Sequence, residues 1–177
     1  MALSKEERRA RVIDALNQAR AMELFAITQY MNQHYNLDSM DYGELAAKMK
    51  LIAIDEMRHA EMFAERVKEL GGEPTTSYEG DLKKGQDVRS IFPYDTQLED
   101  DTIDVYSQFL LTCRDNGDPI SAKLFETIIE EEQAHMNYFD NVVNHIETLG
   151  DTYLSKIAGT SASTGPSTKG FLISGGN

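Results

Sequence analysis

Glu56 and His59 stand three residues apart, and so do Glu132 and His135. On a helix that spacing brings two side chains to one face. A carboxylate beside an imidazole offers oxygen and nitrogen donors suited to iron or manganese rather than calcium or thiolate-bound zinc. Each pair follows another glutamate at the same distance: Glu23 precedes Glu56 by 33 residues, and Glu99 precedes Glu132 by 33. Tyr30 follows Glu23 by seven, and Tyr106 follows Glu99 by seven. A shift of 76 residues therefore maps Glu23, Tyr30, Glu56 and His59 onto Glu99, Tyr106, Glu132 and His135. The pattern is that of an internal duplication in which each half supplies half of one site.

The elements that must position these residues are read from apolar periodicity. Ser4 and Glu7 have capping-box spacing before a stripe through Val12, Leu16, Ala19, Ile27 and Tyr30, which predicts a helix over 5–36. Asp41 and Glu44 are expected to open a second helix, striped by Met49, Ile52, Ala53, Ala60, Phe63 and Val67 and stopped by Gly71-Gly72 and Pro74. Residues 71–94, with four Gly and two Pro, read as a long crossover. Thr96 and Glu99 are expected to cap a third helix running to Gly117. Asp118-Pro119 starts a fourth that runs to Gly150. A short fifth helix is expected near 151–158, and the Gly/Ser/Thr-rich residues 159–177 as a flexible tail. Long helices joined by a short, a long and a short connection define an all-α four-helix bundle.

On those helices the acids interrupt apolar stripes. Glu23 lies between Ala19 and Ile27, Glu56 and His59 share the face of Ala53 and Ala60, Glu99 begins the inward stripe of the third helix, and Glu132 and His135 lie between Ile128 and Phe139. Each uncompensated buried carboxylate costs several kcal/mol. Four would exceed the ~5–15 kcal/mol net stability of a typical domain. Two divalent cations supply the compensating charge. A lone Glu-x-x-His is ordinarily a solvated helix face; two copies, each preceded by an inward glutamate, match a di-metal carboxylate bundle.

Composition narrows the classes further. The 177 residues suit one domain, with 41% hydrophobic residues and a mean hydropathy of -0.45. The net charge of -13 disfavours nucleic acid and anionic membrane as partners and attracts cations. Cys113 is the single cysteine, so no internal disulfide forms, which fits a reducing cytoplasm. No apolar run is long enough to span a membrane, and the first residues do not read as a signal peptide.

The runs Ala-Met-Glu-Leu-Phe-Ala-Ile-Thr-Gln-Tyr (21–30), Ile-Asp-Glu-Met-Arg-His-Ala-Glu (54–61) and Glu-Glu-Glu-Gln-Ala-His (130–135) resemble those of bacterioferritins, over residues 5–158. The resemblance implies a ferritin-like bundle with a long B–C crossover, assembled into a hollow cage of twenty-four subunits. It implies iron storage and a ferroxidase reaction with O₂ or H₂O₂ at an intrasubunit di-iron centre. One iron would be held by Glu23, Glu56 and His59, the other by Glu99, Glu132 and His135, with Glu56 and Glu132 bridging. Met57, turned about 100° from Glu56 and off the core stripe, would be the axial ligand of a haem shared by two subunits, with Leu24, Ile27 and Met31 as candidate wall residues. A ferredoxin-type protein is the implied reductant. Where some bacterioferritins carry a histidine for an inner-surface iron, this chain has Leu51, although Asp55 is kept. His34 and His145 lack a partner at ligand spacing and read as structural. A rubrerythrin-like peroxidase would carry a Cys-rich segment and a DNA-protecting mini-ferritin a basic arm. A haem electron-transfer bundle would leave the di-iron ligands inert.

Overall fold

The computed structural model describes residues 3–78, 80–165 and 169–174. Its five helices are α1 (Lys5–Ser39), α2 (Gly43–Glu69), α3 (Val88–Asp115), α4 (Pro119–Leu149) and α5 (Asp151–Ile157). α1 pairs with α2 and α3 with α4, giving two helical hairpins packed into a bundle. The capping box is present at Ser4, whose hydroxyl accepts from the Glu7 N–H while Glu7 accepts from the Ser4 N–H. Asp118 caps α4, accepting from the N–H groups of Ile120 and Ser121.

Two helix starts differ from expectation. α3 begins at Val88, eight residues before Thr96, because Asp87 caps it through the N–H groups of Arg89 and Ser90. Pro93 lies inside the helix rather than ahead of it. At the sixth helical position, past the first turn, its missing N–H leaves the Arg89 carbonyl without its i+4 helical donor. Thr96 instead bonds back to the Phe92 carbonyl. α2 begins at Gly43, not at an Asp41 cap: Asp41 adopts a positive φ of 68° in the turn. The hydroxyl that accepts from the Glu44 N–H belongs to Thr160, far along the chain.

The described residues of the crossover, 70–78 and 80–87, run alongside α1 and are tied to it. Asn17 bonds the backbone of Glu73 and Thr75, Arg20 bonds the Thr75 carbonyl, and Gln29 bonds both the N–H and the C=O of Lys83. The bundle interior forms two apolar clusters. One surrounds Leu37, Met49, Phe92 and Phe139; the other surrounds Leu16, Phe63, Phe125 and Ile128. Among the described residues no helix is long and apolar enough to cross a membrane.

The segment expected to be a flexible tail packs at two points. Thr160 bridges to Tyr42 beside the start of α2, where a Cβ on Gly43 would lie 1.9 Å from the Thr160 carbonyl oxygen. Farther on, Phe171 is buried and its N–H donates to the Leu51 carbonyl.

Candidate metal centre

Between the two apolar clusters, four helices bring six polar side chains together. Glu23 comes from α1, Glu56 and His59 from α2, Glu99 from α3, and Glu132 and His135 from α4; none is more than 2% exposed. They form two overlapping quartets, Glu23–Glu56–His59–Glu132 and Glu56–Glu99–Glu132–His135, whose potential ligand atoms lie within 4.8 Å of one another. Glu56 and Glu132 belong to both, as expected of bridging carboxylates.

The histidines face the acids through Nδ1. His59 Nδ1 lies 3.1 Å from Glu56 Oε2, 3.1 Å from Glu132 Oε1 and 3.8 Å from Glu23 Oε1. His135 Nδ1 lies 3.0 Å from Glu56 Oε1, 3.1 Å from Glu132 Oε2 and 4.0 Å from Glu99 Oε1. One N–H cannot serve several oxygens at once. Each ring directs its hydrogen at one carboxylate oxygen, which leaves Glu56 Oε1 and Glu132 Oε1 in charge contact but without a hydrogen bond. Buried acceptors without donors are rare. Two of them, one on each shared carboxylate, are what a cation-binding cluster presents.

The far nitrogens are held from outside. His59 Nε2 lies 2.9 Å from Glu131 Oε2, and His135 Nε2 lies 3.3 Å from Asp55 Oδ2. Holding the Nε2 proton there turns the Nδ1 lone pair toward a metal. Sequence reasoning did not pick out Glu131. The signal was available, since Asp55 and Glu131 each precede a shared glutamate by one residue and are related by the same 76-residue shift. The tyrosines cross between the halves: Tyr30 donates to Glu99 at 2.5 Å and Tyr106 to Glu23 at 2.5 Å. His34 binds the Ala46 carbonyl and His145 stacks on Tyr153, both away from the cluster.

Electrostatics reflect crowding without metal. Burial, then the Glu132 charge, pushes the Glu23 carboxyl well above the carboxylate range; burial followed by Glu132 and Glu56 does the same to Glu99. For both histidines burial acts downward and is overcome. Glu132 and Glu131 raise His59, while Glu56 and Asp55 raise His135, each well above the ordinary imidazole value. Burial also opposes ionisation of Glu56, but the two imidazolium rings hold it well below the carboxylate range. Protons thus occupy places that divalent cations would take.

A cavity of about 220 Å³ reaches Glu23 and Glu99 between Met22, Phe25, Ala26, Leu98 and Thr102. Glu56 and Glu132 line it as well.

The sequence matches the ferritin-like domain family over residues 13–149. It is 65% identical to the bacterioferritin of Desulfovibrio desulfuricans over 172 residues, covering 97% of this chain and 96% of that protein. The chain belongs to the bacterioferritin family. Bacterioferritin from Mycobacterium tuberculosis is 33% identical over 144 residues, 81% of this chain and 91% of that one. The X-ray structure of the D. desulfuricans bacterioferritin, which shows its diiron site in different catalytic states, superposes with a TM-score of 0.92 over 96% of this chain and 99% of that chain. The Rhodobacter capsulatus bacterioferritin, at 27% identity, superposes with a TM-score of 0.82 over 88% of this chain and 98% of that one. It has a metal-free dinuclear site and a haem iron on a crystallographic special position. Bacterioferritin membership and the six-residue cluster together assign this chain to iron storage. Met57 stands 54% exposed on α2.

Proposed function

We propose that this chain is a ferroxidase subunit that binds two Fe(II) ions as substrate, Glu23, Glu56 and His59 holding one and Glu99, Glu132 and His135 the other. The observation that carries this reading is the pair of buried oxygens without a hydrogen bond, Glu132 Oε1 at 3.1 Å from His59 Nδ1 and Glu56 Oε1 at 3.0 Å from His135 Nδ1. Fe(II) arrives through the negatively charged surface and the apolar-walled cavity. Binding expels the protons that otherwise sit on Glu23, Glu99 and the histidines. Each ferrous ion then gives one electron, so H₂O₂ with two protons becomes two waters, or O₂ with two protons becomes H₂O₂. The side chains supply fixed geometry and charge, and the redox change belongs to the iron. Tyr30 and Tyr106 keep the terminal carboxylates aimed inward through their hydrogen bonds.

Further features are carried by family membership and supported by placement. An isologous two-fold contact puts the same residue on both sides of its axis. An exposed Met57 on each of two subunits would then hold one haem by two thioethers, a ligation that favours reduced iron. The assembly proposed is a twenty-four-subunit cage in the cytoplasm, with residues 1–158 as its bundle and the ferric product inside. A haem held there would supply a one-electron carrier between a ferredoxin-type donor and the stored iron. Stopped-flow oxidation of Fe(II) tests the centre: Glu56→Ala and Glu132→Ala should each abolish the fast phase while the assembly persists. A fast phase unchanged in either variant would refute the assignment.

A further inference from the structure

The ligands obey the two-fold internal symmetry of the duplication, but their surroundings do not. Glu131, which holds His59, is 23% exposed at its side chain. Asp55, which holds His135, is 0% exposed, and what covers it is the C-terminal segment. The Leu172 N–H donates to Asp55 Oδ2 at 3.1 Å, the same oxygen that faces His135 Nε2 at 3.3 Å. Arg58 takes Oδ1 at 3.0 Å. Gly170 passes so close that a Cβ there would lie 1.8 Å from Asp55 Oδ1. Phe171 lies between these two residues, its N–H on the Leu51 carbonyl and its ring buried against His135 (centroids 5.9 Å apart) and Tyr138 (5.1 Å). Lys48 Nζ stands 5.3 Å from the centre of the same ring.

We infer that residues 170–172 are a positioning element of the metal centre: they fix Asp55, and through it His135, so that the His135 metal position is dry and slow to exchange while the His59 position stays accessible. The inference rests on the di-metal reading of the six-residue cluster. Its physical basis is competition. With the segment in place, Asp55 Oδ2 receives one backbone N–H and one imidazole N–H and is closed off from solvent. With it gone, water reaches both oxygens and competes for the hydrogen bond that orients His135. Loss of such an outer partner commonly weakens a metal site by ~10–100-fold. Glycine is required at position 170 for lack of space, and an aromatic ring at 171 seals the edge of His135. The chain also bears Leu51 where a histidine would serve an inner-surface iron, and the Leu51 carbonyl is one of the anchors of this segment.

The two positions can be measured apart with Co(II), whose visible bands report coordination and which O₂ does not readily oxidise at such sites. In a Glu23→Ala background only the His135 position remains intact, and in a Glu99→Ala background only the His59 position. Adding Gly170→Ala or Phe171→Ala should weaken Co(II) at least about tenfold in the first background, and speed its removal by an external chelator, with no change in the second. Phe171→Leu, which keeps a large apolar anchor, should restore most of the affinity. Equal Co(II) affinity with and without the tail substitutions in the Glu23→Ala background would overturn the inference. So would equal losses in both backgrounds, which would mean general loosening of the bundle. Failure of the otherwise unaltered protein to take up two Co(II) ions per subunit would instead overturn the di-metal reading itself.

Discussion

Glu131→Gln should weaken one metal position and spare the other. The Glu131 carboxylate lies 2.9 Å from His59 Nε2, and this hydrogen bond is the largest influence holding Glu131 below the ordinary carboxylate range. Glutamine preserves the acceptor oxygen and the shape but removes the charge. A hydrogen bond to a charged partner contributes ~1.5–3 kcal/mol against ~0.5–1.5 for a neutral one. The difference of about 1–1.5 kcal/mol is about a tenfold change in affinity. Partial exposure of Glu131 puts the expected effect at the lower end, about 5–10-fold, and Glu131→Ala should lose more. Anaerobic Fe(II) titration against a competing chelator reads both positions in one isotherm. The expected isotherm keeps its tighter step and shifts the other. If both steps shift together, or neither moves, His59 is not oriented through Glu131.

The pH dependence has a definite sign. Glu23, Glu99, His59 and His135 all have raised values in the metal-free fold. Their contribution to stability is complete below their unfolded values, ~4.3 for Glu and ~6.5 for His, and is lost as pH rises through the higher folded values. Metal-free protein should therefore melt progressively lower above neutral pH, while the metal-loaded protein should not; a calorimetric gap that narrows with rising pH would contradict this. Met57→Leu should remove the haem absorption band and leave Fe(II) oxidation intact, and a retained band would exclude Met57 as the ligand. Phe63→Ala, which deletes a buried ring packed on Phe125 and Tyr106 at centroid distances of 5.1 and 5.6 Å, should cost ~3–5 kcal/mol in denaturant unfolding. Ala26→Phe should slow Fe(II) oxidation by narrowing the cavity beside Glu23, with two ions per subunit still bound; an unchanged rate would mean iron takes another route.

Much of this arrangement was legible in the sequence because helices report themselves by period. An acid that recurs where an apolar residue is due betrays a buried polar site, and the 76-residue shift ties two such sites into one. Glu23, Glu56, His59, Glu99, Glu132 and His135 were readable on those grounds, and the structure brings all six together. Local signals misplaced the two helix starts for different reasons. Pro93 and Asp87 read as part of the crossover although Asp87 caps α3 and Pro93 lies inside it, and the cap of α2 comes from Thr160, which no local window contains. The place where Phe171 docks was hidden as the Thr160 cap was. A ring in a Gly/Ser/Thr-rich stretch has no period, and only the folded chain shows that it lies against His135.

The central claim is that two cations neutralise acids the interior would otherwise reject. Anaerobic equilibrium dialysis of Fe(II) tests it most directly. Two ions bound per subunit, with binding weakened at both positions by Glu56→Gln or Glu132→Gln, is the expected result, because each of those carboxylates serves both quartets. No uptake of Fe(II), or uptake indifferent to both substitutions, would contradict it.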